Sequence, residues 1–290
     1  MLGQKEIDFY HQNGYLSINN VIPDDILTEL RQVTDEFVEK SRRVIEHNDV
    51  FDLEPGHTPD SPRVRRIKHP ADHHPVYDKV LRYDPILNIV TQLIGLDIRH
   101  NGHKLNMKYP KFGSPVQWHQ DWAFYPHTND DLLAVGVAID DMTTENSCLM
   151  VIPRSHLGPT YNHHQNGEFI GSVTETDFDP QATSIPVEVK AGGISIHHVR
   201  MLHGSAPNTS DQPRRLYLIQ YCALDAWPLL GIPNWDIFND CILRGTPNNE
   251  PRTTEAPVRI PLPQAERAGS IYEVQSLMEK PLYQLGYRLK

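Results

Sequence analysis

A mainly β fold under a helical cover is what the sequence predicts, on three observations. Apolar residues recur at helical spacing in the first third of the chain. From Ile98 onward they fall instead into short runs of Val, Ile, Leu and aromatics, parted by Gly, Pro, Asn and Asp clusters. After Asp225 the chain turns proline-rich and the runs stop. Helices first and strands after give one barrel with a helical cover. The expected division is a cover over about 1–97, a β-barrel core over about 98–225 and a C-terminal extension over about 226–290, all within one domain.

In chain order, "IPDDILTELRQVTDEFVEKSRRVIE" opens with Pro23 and two aspartates, a common helix start. Ile26, Leu27, Leu30, Val33, Phe37 and Val44 then form an apolar stripe, read as core and not as a cofactor site. Residues 48 to 75, with "EPGHTPDSP" and "KHPADHHP", read as a long loop. "VYDKVLRYDPILNIVTQLIG" reads as a second helix interrupted near Pro85 and ended by Gly95. Strands follow in "IRHNGHKLNMKYP", "VQWHQDWAF", "LLAVGVAID", "SCLMVIP", "IPVEVK", "GGISIHHV" and "RRLYLIQYCA". A last helix is expected in "SIYEVQSLMEKPLYQ", within an extension packed on the barrel or on a partner subunit. No internal repeat is visible.

Bulk properties exclude several classes. The 290 residues carry a net charge of -10, and the short basic patches "SRRVIEH" and "RVRRIKH" read as solvated surface or a small anion contact, so no nucleic-acid partner is expected. Cys148, Cys222 and Cys241 are far apart and odd in number, which points to a reducing compartment. The polar N-terminus and the lack of a long apolar run predict a soluble, cytoplasmic protein without a membrane partner. A small-molecule substrate is expected, and a homo-oligomer is left open.

The chemistry centres on "WHQDWAFYP". Residues i and i+2 of a strand share a face, so His119 and Asp121 project together. A second histidine with that pair makes the two-histidine, one-carboxylate set that leaves positions open on non-haem Fe(II). "GGISIHHVRMLHGSAPNTSDQPRRLYLIQY" offers one: His203, before Gly204, where backbone comes close to a ligand. An arginine at the start of the following strand, Arg214 or Arg215, presents a fork of donors suited to a carboxylate.

With these residues in place the sequence resembles the phytanoyl-CoA dioxygenase family of Fe(II)/2-oxoglutarate oxygenases. "FYHQNGYLSINNVI" is similar to the family's opening segment, "HQDWAFYPHTNDDLLAVGVAIDDMTTENSCLMVIPRSH" to its central block and "HGSAPNTSDQPRR" to its closing block. The resemblance covers roughly residues 5 to 225. It implies a double-stranded β-helix, a jelly-roll or cupin-like barrel flanked by N-terminal helices. It implies metal ligands at His119, Asp121 and His203, and a 2-oxoglutarate anchor at Arg214, with Arg215 as the fallback should the register slip. Ser205 falls on a position that contacts 2-oxoglutarate in relatives, as does a basic residue before the second helix, best matched by Lys68 and next by Arg66. Gly193 and Arg154 depart from the pattern outside the ligand positions.

The implied cofactors are Fe(II), 2-oxoglutarate as co-substrate and O2. The implied reaction is hydroxylation of an unactivated carbon of a small molecule or natural-product scaffold, with release of succinate and CO2. Asp121 argues against halogenation, since related halogenases carry a small residue there. Trp122, Phe124 and Tyr125 are candidates for the substrate pocket or for packing on the second helix. Val137 aligns with a frequent Trp and would widen the pocket. Of His197 and His198, at most one points inward, and His198 is read as structural. His69, His73, His74, His127, His163 and His164 are expected mostly in solvent. A non-catalytic cupin-like metal- or ligand-binding protein and a zinc hydrolase are the rival readings.

Overall fold

Alternation along the strands sorts the side chains of this chain onto two faces. In β4 (Ile98–Lys108), Leu105 and Met107 enter an apolar core, while Lys104, Asn106 and Lys108 occupy the opposite face. In β13 (Arg214–Ala223), Tyr217, Ile219 and Tyr221 share that core and Leu216 and Leu218 lie opposite. A bulge between Gln220 and Tyr221 shifts the register against β4, so the phase resets and Ile98 also enters the core. The computed structural model describes residues 1–283 apart from 112, 176, 177, 181 and 266–268.

Two antiparallel sheets face each other. The larger runs β1 (Tyr15–Ile18), β11 (Ile194–His198), β6 (Leu132–Ala138), β13, β4, β3 (Val64–Lys68), β2 (Phe51–Leu53), with β14 (Ile242–Arg244) also beside β4. The smaller runs β10 (Ile185–Val187), β7 (Leu149–Val151), β12 (His203–Ser205), β5 (Val116–His119). A short hairpin pairs β8 (His164–Gln165) with β9 (Glu168–Phe169). This is the expected jelly-roll, a double-stranded β-helix that is mainly β.

Helices cover the outer face of the larger sheet. Ile26, Leu30 and Phe37 of α2 (Asp24–Ser41), Tyr77 of α3 (Pro75–Leu81) and Ile86 and Val90 of α4 (Asp84–Ile94) pack on Leu133, Val135, Ile194, Ile196 and Tyr217. Tyr217 and Tyr221 donate their hydroxyls to the carbonyls of Tyr77 and Leu81, at 3.2 and 2.9 Å. The break near Pro85 is real: α3 and α4 are separate, and Pro85 sits in the first turn of α4, where its missing N–H costs nothing.

Three differences from the sequence reading matter. The opening segment forms α1 (Gln4–Asn13) and then β1, which pairs with β11. Residues 48–75 are not one long loop, because β2 and β3 extend the larger sheet through β4. The arginines of "VRRIK" hid that strand, although Val64 and Ile67 are fully buried. Residue 97 therefore divides no layers, since three strands of the larger sheet precede it. The extension holds α5 (Trp235–Asp240), β14 and α6 (Ile271–Gln275), the last much shorter than expected. No helix among the described residues is long and apolar enough to cross a membrane.

Candidate active site

β5 ends at His119, but Gln120 keeps an extended backbone (φ -115°, ψ 127°), so the alternation survives one more step before the turn at Asp121–Ala123. His119 and Asp121 thus share a face, with the His119 Nε2 3.7 Å from Asp121 Oδ1. Antiparallel pairing of β12 with β5 sets His203 directly opposite His119. Ligand atoms of the three side chains all lie within 4.8 Å of one another, and all three residues are buried. Gly204 sits where an added Cβ would come within 3.1 Å of the Val116 carbonyl, so this close approach of strands suits glycine.

Both imidazoles are locked. His119 Nδ1–H donates to the Gln117 carbonyl at 2.8 Å and His203 Nδ1–H to the Met201 carbonyl at 2.9 Å. That leaves each Nε2 as a lone pair, as a metal ligand requires. Burial, with His119 and His197 adding to it, holds His203 well below the usual histidine range. Burial works to raise the Asp121 carboxyl, but His119, His197, His203 and Lys104 outweigh it and keep it well below its usual range. Two imidazoles anchored through Nδ1 and one carboxylate, buried together, fit a divalent iron.

An inner cavity of about 60 Å³ adjoins the triad, lined also by Arg214, Ser205, His197 and Tyr272. Arg214 is buried, its Nε donating to the Ser147 carbonyl at 3.2 Å, and among the described residues no carboxylate pairs with it. Arg215 turns to the other face and is held by Asp140 at 2.7 Å and Asp35 at 2.8 Å. The register therefore puts Arg214 in the cavity and excludes Arg215. The Ser205 hydroxyl accepts from Lys108 Nζ at 2.8 Å, and Lys108 also reaches the Ser147 hydroxyl at 2.9 Å.

Lys68 does not reach this cavity. It ends β3 and turns to Asp52 at 3.0 Å and the Asn48 carbonyl at 2.8 Å. The fallback, Arg66, lines it instead: Nε donates to Asn106 Oδ1 at 3.0 Å, while Nη2 is buried without a partner. Trp122 and Val137 are also corrected. Trp122 is fully buried beside Leu132 and Cys222, its indole N–H donating to the Pro257 carbonyl at 2.9 Å. Val137 faces the helical core, not the cavity. The inner face of β6 carries Ala134, Gly136 and Ala138, which pack under Leu216 and Leu218; a Cβ on Gly136 would meet Ser195 Oγ at 2.7 Å.

Phe124 and Tyr125 do line a cavity, the outer one of about 350 Å³, with Phe169, Gln220 and the extension's Ile271 and Val274. Arg66, Lys104, Asp121 and Ile271 line both compartments. Sequence reasoning missed His197, Lys104 and this roof. His197 Nε2 lies 3.5 Å from Asp121 Oδ2, on the side away from His119. Its signal was in "ISIHH": Ile194 and Ile196 face the helical core, so Ser195 and His197 face in. His198 packs on Tyr10 and His156, apart from the triad. His127 and His163 are buried, against the expectation of solvent.

Known proteins give the same picture. The family model described as phytanoyl-CoA dioxygenase matches residues 10–216, well over half of the chain. A probable alpha-ketoglutarate-dependent hypophosphite dioxygenase of Stutzerimonas stutzeri is 32% identical over 279 residues, covering 94% of this chain and 97% of the relative. An L-proline trans-4-hydroxylase of Streptomyces griseoviridis is 27% identical over 73% of this chain and 83% of its own. In fold, the chain is similar to EctD of S. alaskensis, solved with 2-oxoglutarate and 5-hydroxyectoine, with a TM-score of 0.64 at 19% identity over 77% of each chain. The matched segment includes both strands of the triad and the start of β13, and the chain belongs to the phytanoyl-CoA dioxygenase family of Fe(II)- and 2-oxoglutarate-dependent oxygenases.

Proposed function

We propose that His119, Asp121 and His203 hold Fe(II) in a 2-oxoglutarate-dependent dioxygenase that hydroxylates an unactivated bond of a small molecule. The observation that carries the assignment is the pair of Nδ1–H locks, which turn two Nε2 atoms toward one carboxylate. Iron, when bound, supplies the oxygen activation that no side chain provides. The overall balance is R–H + O2 + 2-oxoglutarate → R–OH + succinate + CO2, with one oxygen atom entering each organic product.

The remaining side chains bind and orient. Arg214 takes the far carboxylate of 2-oxoglutarate, for which its unopposed charge is suited. Arg66 assists from β3 in the role first expected of Lys68. Ser205 offers its hydroxyl, kept in place by Lys108, whose ammonium burial and Arg214 push well below the usual lysine range. His197 Nε2, 3.5 Å from the second oxygen of Asp121, adds to the surroundings that keep that carboxyl below its usual range. Phe124, Tyr125 and Phe169 keep water from the reacting bond. With a carboxylate at Asp121, no ligand position is vacated for a halide, which favours hydroxylation. Hypophosphite, named for the 32% identical relative, is small enough for the outer cavity and is the first compound to assay.

The deciding measurement is anaerobic addition of Fe(II) and 2-oxoglutarate to the apoprotein. A visible metal-to-ligand charge-transfer band is expected, and a folded, iron-loaded protein without it would refute the reading. Asp121→Ala should remove the band, weaken iron binding and abolish turnover. A non-catalytic cupin-like binding protein would give no succinate with any substrate, and it leaves Arg214 without a purpose.

A further inference from the structure

We infer that the substrate carries an oxyanion and that Lys104 is the residue that holds it. This rests on the oxygenase reading but not on any particular co-substrate contact. Lys104 projects from β4 on the cavity face, two residues before Asn106, and lines the wall shared by the inner and outer compartments. It is half-buried, yet among the described residues its ammonium makes no ion pair and no hydrogen bond. Asp121 acts on Lys104 electrostatically but is proposed to serve the metal, and a half-buried cation left without a hydrogen-bonded counter-charge favours taking up an anion. Other cations of this interior are provided for: Lys108 has four oxygen partners, and Lys68 has Asp52.

The surroundings define the ligand further. Among the described residues Asp121 is the one carboxylate lining the outer cavity, and in the proposed role it serves the metal. Arg66 stands beside Lys104 on the same wall with Nη2 buried and unpartnered. Among the described lining residues two cations, Arg66 and Lys104, face the one carboxylate, with Arg66 also 3.9 Å from the buried Asp52, although the chain as a whole is acidic. Gln220 donates its amide to the Tyr125 hydroxyl, giving neutral hydrogen-bonding groups across from the cation. At about 350 Å³ the cavity sits at the low end for small-molecule sites. Because Lys104 and Asp121 border the same opening, an anion held by the lysine brings a bond close to its own charged group up to the iron. The substrate is thus a short carboxylate or phosphorus oxyanion oxidised near its charged end, and not a long chain oxidised far from it.

The test is calorimetric and needs no turnover. Methylphosphonate and propionate are titrated, without oxygen, into the full chain loaded with Fe(II) and 2-oxoglutarate. Their uncharged counterparts, dimethyl methylphosphonate and propionamide, are titrated alongside. At least one anion should bind about tenfold or more tightly than its neutral counterpart, and the preferred one names the headgroup. Lys104→Met should weaken that anion about tenfold while the 2-oxoglutarate charge-transfer band persists, and Lys104→Arg should restore most of the affinity. Equal binding of anion and neutral counterpart, unchanged binding in Lys104→Met, or loss of the band in that variant would each overturn the assignment, the last by placing Lys104 on the co-substrate. Absence of the band from the wild type would instead sink the oxygenase reading, and the calorimetry would still report on the anion.

Discussion

Arg214 and Arg215 are neighbours in sequence and opposites in environment, since one peptide step on a strand reverses the face. Arg214→Ala should raise the KM for 2-oxoglutarate by about tenfold or more, the scale of a lost charge-assisted pair, with little change in Tm. Arg215→Ala should leave that KM alone and lower Tm, because it leaves the mostly buried Asp140 without its cation. Steady-state kinetics and a melting curve on both variants check this; a KM effect on Arg215→Ala alone would reverse the register. At this scale the triad was legible because i, i+2 spacing and a His-Gly step are local. Lys104, Arg66 and His197 were not, because their convergence depends on how β4, β3 and β11 are registered in the sheet. The alternation of Leu105 and Met107 with Lys104 and Asn106 carried the needed phase, but a sequence does not say which face of a sheet holds the cavity.

At the level of elements, strands with an apolar face announced themselves and the others did not. β13 and β6 fall within the apolar runs read from the sequence, whereas β3 was hidden by its arginines and β1 by its shortness. Only a last helix was read in the extension, because its placement combines hydrogen bonds with scattered apolar contacts, such as Val274 beside Phe169 and Tyr283 beside Trp118, that form no periodic stripe. Gln275 of α6 is the main fastening: its Oε1 accepts from the Gln117 N–H at 2.9 Å, and its Nε2 donates to the Gly171 carbonyl at 2.7 Å. Gln275→Ala should cost about 1–3 kcal/mol, the range for leaving buried backbone groups unpaired, and should loosen the wall made by Ile271 and Val274. Denaturant unfolding measures the first effect; full stability in the variant would mean that the roof is held elsewhere.

Across the whole molecule, burial keeps several histidines neutral. His103 and His127 are pushed down to about 4, and His163 and His198 to about 3, in each case first by burial. In the unfolded chain each takes a proton near pH 6.5. Between that value and the depressed one the unfolded state binds more protons, so stability rises with pH through the window. The contribution is complete above about pH 6.5 and is lost on acidification, at on the order of 2 kcal/mol per histidine between pH 7 and 5. The apoprotein should therefore melt well below its neutral Tm at pH 5, and a flat profile over that range would contradict the burial of these rings. Gln117 carries a consequence of another kind. Its carbonyl steadies the His119 ring, its N–H meets Gln275 and its side-chain amide donates to the Tyr283 carbonyl at 2.7 Å. Metal capture and docking of the tail thus share one residue, and linkage makes their effects reciprocal. A protease offered the apoprotein should trim the tail faster than one offered protein saturated with Fe(II), so the rate of trimming becomes a gauge of metal occupancy that requires no substrate.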